Sequence, residues 1–295
     1  MKRKTTIRNG FTLVELLTTL AVIGVLLGLL IPALNQVGKT AAKVKQKAQF
    51  HAIGTALETF RNDYGDYPPS TYNALGTAGK YVTASHHLAE AIVGGDGLGF
   101  HQASQFRADY KADVNGDGTL DIIYGDPSTY TAETPAQNFA VRKGPYLELE
   151  NANAVKLNNI FPASYASLNK NAYVLVDMYK QVKNTATGKQ VGMPILYYKA
   201  NKLKIGNNPN DWLNSTYNFD DSFCGLMGIV ATGAHYGGDW SDPFTTSAIF
   251  YNAIQNPNFT SPARPYRAES FLLQSAGPDG LYGTTDDMFN FDQDN

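Results

Sequence analysis

The chain has one cysteine, Cys224, among 295 residues. A single thiol forms no intramolecular disulfide and supplies no paired-cysteine zinc site, so it reads as a small buried apolar residue. Charge is sparse as well, at 17% of residues with a formal net of -2. That balance argues against a general nucleic-acid binder, and no nucleic acid is expected as a partner. Catalytic patterns are missing too. There is no Gly-x-Ser-x-Gly elbow, no His-Glu-x-x-His helix and no glycine-rich phosphate loop. His86, His87, His101 and His235 are scattered, and the adjacent pair reads as a helix start or surface feature. There is no internal repeat. Nothing here points to an enzyme.

What is present is concentrated at the amino terminus. A basic leader, Lys2, Arg3, Lys4 and Arg8, precedes Gly10-Phe11-Thr12-Leu13-Val14-Glu15. From Phe11 to Leu34 the chain is almost wholly apolar apart from Thr12, Glu15, Thr18 and Thr19. As helix this run is about 36 Å long, right for a full membrane span. It is too long for a secretory h-region, and no Ala-x-Ala-like site closes it. The positive leader predicts that this end stays cytoplasmic. A carboxylate in such a run costs roughly 2.5–3.5 kcal/mol at a helix centre and less near an end. Glu15 is therefore the oddest residue in the chain. A plain signal anchor explains neither the acid on the first turn nor the Gly-Phe pair on the charged side.

The leader, Gly10-Phe11-Thr12-Leu13-Val14-Glu15 and the uninterrupted span together resemble the processing site of type IV pilins and type II secretion pseudopilins. The resemblance implies cleavage between Gly10 and Phe11 by a prepilin peptidase, followed by N-methylation of Phe11. Pro32 matches a proline common at this depth in the family helix. The family also implies an inner-membrane, single-pass subunit with a periplasmic head. Such a subunit meets an inner-membrane assembly platform and self-assembles into a helical filament, periplasmic or at the cell surface. Loss of residues 1–10 removes four basic side chains and no acid, leaving the mature chain near -6. In a staggered filament, the Glu15 carboxylate would face the Phe11 ammonium of a neighbouring subunit. Each buried charge is costly alone and much less so when paired.

The expected organisation is a leader at 1–10, a helix at 11–64 and a globular head at 65–295. Past Leu34 the spacing of Ile53, Ala56, Leu57, Phe60 and Tyr64 predicts a helix that buries one face, with Lys39, Lys43, Gln46 and Lys47 mostly off that face. Pro32, Gly38 and Gly54 are expected points of bending or local melting. Gly65-Asp66-Tyr67-Pro68-Pro69 ends the helix, and Tyr-Pro here is familiar from major pseudopilins. A short helix is expected at His86–Val93, then a surface turn through Gly94, Gly95, Gly97 and Gly99. Strands are expected at Ala172–Val176, Pro194–Lys199 and Ser270–Gln274. Residues 201–265 read as long irregular loops packed on the sheet. The fold class is α+β: a long amino-terminal helix packed on an antiparallel sheet.

Two acidic loops suggest calcium. Asp113, Asn115 and Asp117 place oxygens at positions 1, 3 and 5 of an EF-hand-like loop, with Gly118 at 6, Thr119 at 7 and Asp121 at 9. Position 12 is Tyr124, not the usual Glu, with Asp126 farther along; a metal-free Asn-Gly/Asp-Gly turn is the plainer alternative. Near the carboxyl end, Gly277-Pro278-Asp279-Gly280 and Asp286-Asp287 resemble the calcium loop of major pseudopilins. That resemblance implies Asp279 and Asp286 as ligands, with Asp287 as a substitute or addition. Two functions fit these features. One is a structural subunit polymerised through its helix. The other is a tethered minor pilin acting as a calcium-dependent binding or adhesive module, with residues 201–265 as its contact surface.

Overall fold

The computed structural model describes residues 12–71, 81–161, 168, 169, 171–208, 211, 214–222 and 243–292. They fall into two compact units, one ending at Val44 and one beginning at Lys45. The architecture is α+β and pilin-like, with one long helix and a head of small antiparallel sheets.

The helix α1 spans Leu13–Tyr64. It runs without a break through Gly38 and Gly54, where local melting was expected. Within the first unit its apolar side chains are exposed on every face; Leu13, Leu20, Leu26 and Leu29 are each more than half accessible. Thr18 and Thr19 turn their hydroxyls onto the carbonyls of Glu15 and Leu16, at 3.1 and 2.9 Å. An apolar helix can carry threonine this way without leaving a donor unsatisfied.

Within the second unit α1 buries one face: Phe50, Ile53, Ala56, Leu57 and Phe60. Gln46 and Gln49 belong to that face too, a correction to the expected pattern for Gln46, which is fully buried. The reason is spacing, since Gln46 lies two turns before Ile53. Both amides bind backbone. Met178 N–H donates to Gln46 Oε1 at 2.8 Å, and Gln49 Nε2 donates to the Val176 carbonyl at 2.8 Å. The helix stops as expected. Gly65 takes φ +85°, and its N–H caps the Arg61 carbonyl at 2.7 Å. That left-handed turn favours glycine. Tyr67 then folds back, its hydroxyl donating to Glu58 at 2.6 Å.

The centre of the head is a three-stranded antiparallel sheet. Its middle strand, Phe271–Ser275, pairs with Leu196–Lys199 on one side and Met288–Phe289 on the other. Leu272 sits opposite Tyr198 and Leu273 opposite Tyr197, and all four are fully buried. Burial of both faces explains why these runs lack apolar–polar alternation. Tyr198 packs on Phe250 of the helix Pro243–Ile254. On the other face Phe271 meets Tyr67 and approaches Gly54 of α1. The three expected strands are present at Tyr173–Leu175, Leu196–Lys199 and Phe271–Ser275.

Two expectations need correction. The helix Pro243–Ile254 and a hairpin of Gln255–Thr260 with Ala263–Pro265 lie where irregular loops were expected. Phe250, Tyr251 and Ile254 enter the main core. The glycine loop after helix α2 (Ala84–Val93) is largely buried, not a surface turn. A Cβ at Gly95 would come within 2.6 Å of the Tyr124 ring, so glycine permits close packing there. Helix α2 is itself buried at all ten positions, including His86, His87 and Glu90. His86 Nδ1 accepts the Thr83 N–H at 3.2 Å, so the pair does mark the helix start. Cys224 lies outside the described residues.

Candidate assembly helix and metal loops

The first turn of α1 holds Glu15 in a reciprocal cap. Its Oε2 accepts the Thr12 N–H at 3.0 Å and the Thr12 hydroxyl at 2.9 Å. In return the Glu15 N–H donates to Thr12 Oγ1 at 3.2 Å. This is a capping box, which satisfies two donors that a helix start otherwise leaves open. It also gives the carboxylate hydrogen-bond partners within its own helix. Beyond this turn α1 carries a stretch long and apolar enough to cross a membrane. Gly10 and Phe11 lie outside the described residues, as does the side chain of Pro32.

The carboxyl-terminal loop springs from the central strand and returns to the edge strand Met288–Phe289. Three glycines at positive φ, Gly277, Gly280 and Gly283, fold it tightly. A Cβ at Gly277 would stand 2.3 Å from the Asp286 carbonyl, so the chain passes itself there with no room for a side chain. Asp286 accepts the Asp279 N–H at 3.1 Å and also the Thr284 hydroxyl. Asp279 accepts the Leu281 N–H at 2.8 Å. Asp287 Oδ2 accepts from Gly283 N–H and Gln274 Nε2, each at 2.7 Å. Its other oxygen, Oδ1, is enclosed without a hydrogen-bond partner. Burial pushes the Asp287 carboxyl up to about 7, against the pull of its Gly283 and Gln274 donors. An enclosed carboxylate oxygen with no donor is what a hard cation could satisfy. The tight glycine passage and this orphan oxygen fit calcium. Among the described residues, no three His, Cys, Asp or Glu side chains converge as a ready-made cluster. Backbone carbonyls would have to complete the shell.

The earlier loop closes a hairpin between Lys111–Ala112 and Asp121–Ile122. Asp113 accepts the N–H groups of Gly116 and Gly118 at 2.8 and 3.0 Å. Asn115 and Asp117 accept from Asp117 and Thr119 N–H at 3.2 and 2.7 Å. The half-loop thus has the expected turn, each of these three side chains holding backbone two to five residues on. Its second half is committed elsewhere. Asp121 is buried and takes the Thr131 hydroxyl, while its Oδ2 has no partner. Asp126 caps the turn at Pro127–Thr129 through Ser128 N–H at 2.9 Å. Tyr124 is buried, with its hydroxyl accepting the His101 N–H at 2.8 Å. This loop fits calcium less well than the later one.

Asp177 was not singled out by sequence. It is buried, and it accepts from Tyr179 and Met193 N–H at 3.1 Å each and from the Ser275 hydroxyl at 2.8 Å. Ser275 opens the carboxyl-terminal loop, and Val176 and Met178 beside Asp177 bind Gln49 and Gln46. One buried acid thus lies between α1 and the loop. Its carboxyl is pushed up to about 7 by burial.

Residues 6–31 match the family described as the prokaryotic N-terminal methylation motif. The chain carries a type IV pilin-like amino terminus. This pilin-like match ends at Ile31, so the head rests on its own geometry. No curated protein and no solved structure matches the chain. A pilin-like terminus points to a prepilin substrate and a structural subunit rather than an enzyme. Its apolar helix is suited to a membrane anchor.

Proposed function

We propose that the chain is a pilin or pseudopilin subunit, cut after Gly10, N-methylated at Phe11 and polymerised through α1. The filament is a type II secretion pseudopilus or a type IV pilus-like fibre. The observation that carries this reading is Glu15: one carboxylate on the first turn of the exposed, largely apolar first part of α1. In the stored subunit its partner is Thr12. In the filament it would exchange or share that partner with the Phe11 ammonium of a neighbour, which would set the axial register. A charge on an apolar surface persists only with such compensation. The processing peptidase, the inner-membrane platform and the periplasmic position of the head belong to the same reading.

The head would use calcium as a clasp. Asp279, Asp286 and Asp287 would hold the ion, with Asp113, Asn115, Asp117, Thr119 and Asp121 forming a second, weaker candidate. Calcium supplies positive charge that relieves repulsion among the loop carboxylates. The chain's own part is to close the loop at Gly277 and Gly283 and to anchor Asp287 through Gln274.

The test is filament formation by Glu15→Ala in the full chain. Sheared-fibre yield is expected to fall at least about tenfold, in line with loss of one partner of a buried charge pair. The head's melting temperature should not move. Normal fibre yield from this variant would contradict the register role, and absence of fibres from the unsubstituted chain would contradict the filament reading.

A further inference from the structure

We infer that Lys39 and Lys43 of α1 form a docking site for the headgroups of anionic phospholipid. The inference rests on the reading that the apolar first part of α1 lies in a bilayer. It goes beyond that reading by assigning the class of lipid that meets the helix where it emerges.

The charge is set up by sequence. Between Glu15 and Glu58 the helix carries four lysines, Lys39, Lys43, Lys45 and Lys47, and no acid. Lys39 and Lys43 stand four residues apart, so they share one side of the helix and repel each other. No residue three or four positions from either one is an acid. Both are exposed. Among the described residues neither has an ion-pair partner, whereas Lys47 pairs with Asp292. An anion from outside the chain would relieve that repulsion.

Position selects the anion. The apolar run ends at Leu34, and Lys39 and Lys43 follow it by about 7.5 and about 13.5 Å of helix. The headgroup layer beyond the hydrocarbon is about 5–7 Å deep on each side of a bilayer. Side chains on a helix lean toward its amino terminus, so both lysines reach back toward the apolar run. Their long stems can lay a charge at the level where hydrocarbon gives way to headgroups. Val37 and Val44 flank the pair and are exposed. Thr40, between the lysines, donates its hydroxyl to the Gln36 carbonyl at 3.0 Å, so its own helix satisfies it. Exposed valines beside lysines suit a boundary that is apolar on one side and charged on the other.

Other partners fit less well. A free phosphate is held by donors that converge on it, and two lysines on a convex helix surface do not enclose one. An acidic face of another protein would match the charge. It would not account for side chains that lean toward the apolar run.

The experiment reconstitutes the full chain in mixed phosphatidylcholine–phosphatidylglycerol vesicles. Probes of each lipid, photoreactive in the headgroup and keeping its charge, are crosslinked and mapped by mass spectrometry. Mapping separates residues 36–45 from the basic leader. At low salt the anionic probe is expected to label residues 36–45 at least about fivefold more than the zwitterionic probe, and the preference should fall as salt rises. Lys39→Gln/Lys43→Gln should remove most of the preference. Lys183→Gln/Lys189→Gln takes the same charge from exposed positions of the head and should leave the preference in place. Thermal melts of both variants should match the parent. An acyl-chain probe reports separately on residues 13–34. If it labels them while the headgroup preference is absent, or survives Lys39→Gln/Lys43→Gln, the lipid assignment fails and the anchor reading stands. If it does not label them, the anchor reading fails and takes the assignment with it. Carbodiimide coupling of Lys39 or Lys43 to an acid of a second copy, without any headgroup preference, would make this segment a protein contact instead.

Discussion

The two halves of α1 are one helix with two opposite surface designs. Up to Val44 its leucines, valines and isoleucines face outward in all directions. From Lys45 onward the apolar side chains gather on one face, and that face is covered by the head. A helix apolar all round is stable only in lipid or against copies of itself. A helix apolar on one stripe is satisfied by its own chain. The first half is therefore unfinished in the monomer and the second half is complete. The carboxylates follow the same division. Glu15 is exposed and capped by its neighbour Thr12, whereas Glu90 and Asp177 are enclosed within the head.

The comparison is broken most strongly at Ile53. It is fully buried under the head, and Ile53→Ala should cost about 2–5 kcal/mol. For a head of this size that lowers the thermal midpoint by roughly 5–20 °C. Leu26→Ala, on the exposed half, should leave the same midpoint unmoved. Thermal melts of the solubilised chain distinguish the two. An equal loss from both variants would mean that the halves do not differ in this way.

Buried charge sharpens the comparison through pH. Burial lifts the Glu90 carboxyl to about 7 from an ordinary 4.5, while its Ser104 hydrogen bond works against the rise. A raised acid stabilises the fold below its unfolded value, and that contribution is lost as pH climbs from about 4.5 through 7. His86 and His87 act in the other direction. Burial pushes them down to about 3 and 4, so their contribution is present above about 6.5 and is lost as pH falls below it. The Glu90→Gln variant should remove the first slope only. Relative to the parent it should gain about 3 kcal/mol of stability at pH 8 compared with pH 4.5. Denaturant melts at the two pH values check this, and an unchanged difference would contradict it.

Calcium removal is expected to act on the head alone. At free calcium about a hundred times its dissociation constant, binding adds about 2.7 kcal/mol. Chelation should therefore lower the head's midpoint by roughly 5–10 °C, and Asp287→Asn should abolish the shift. A melt insensitive to chelator would remove calcium from the account. The smallest effect belongs to the exposed half. Thr12→Val removes the cap hydroxyl at a cost of about 1 kcal/mol. It should speed hydrogen exchange at the first-turn amides without moving the head's midpoint.

Much of this was readable from residues. The span, the helix stop at Gly65 and the three strands all rest on local rules: apolar length, a left-handed glycine and β-branched or aromatic runs. The misses depended on tertiary context. Gln46 looks polar and exposed until the carbonyl and amide groups of Val176–Met178 are seen beside the helix. The glycine loop looks like a surface turn because nothing near it in sequence announces Tyr124 and Lys143 packing against it. Residues 201–265 have a loop-like composition, yet Phe250, Tyr251 and Ile254 form one helical face that fills the core. At the acidic loops, the residue types were plain from sequence. Which oxygens remain without donors was not, because that depends on Gln274, Thr131 and other partners far along the chain.

The central claim is that the exposed half of α1 is processed and then assembled, while the head is complete in itself. Mass spectrometry of the mature amino terminus from native membranes tests it most directly. The account predicts a chain beginning at N-methylated Phe11. An intact Met1, or a cut beyond Leu34, would contradict it and leave an anchored or secreted head with no filament to build.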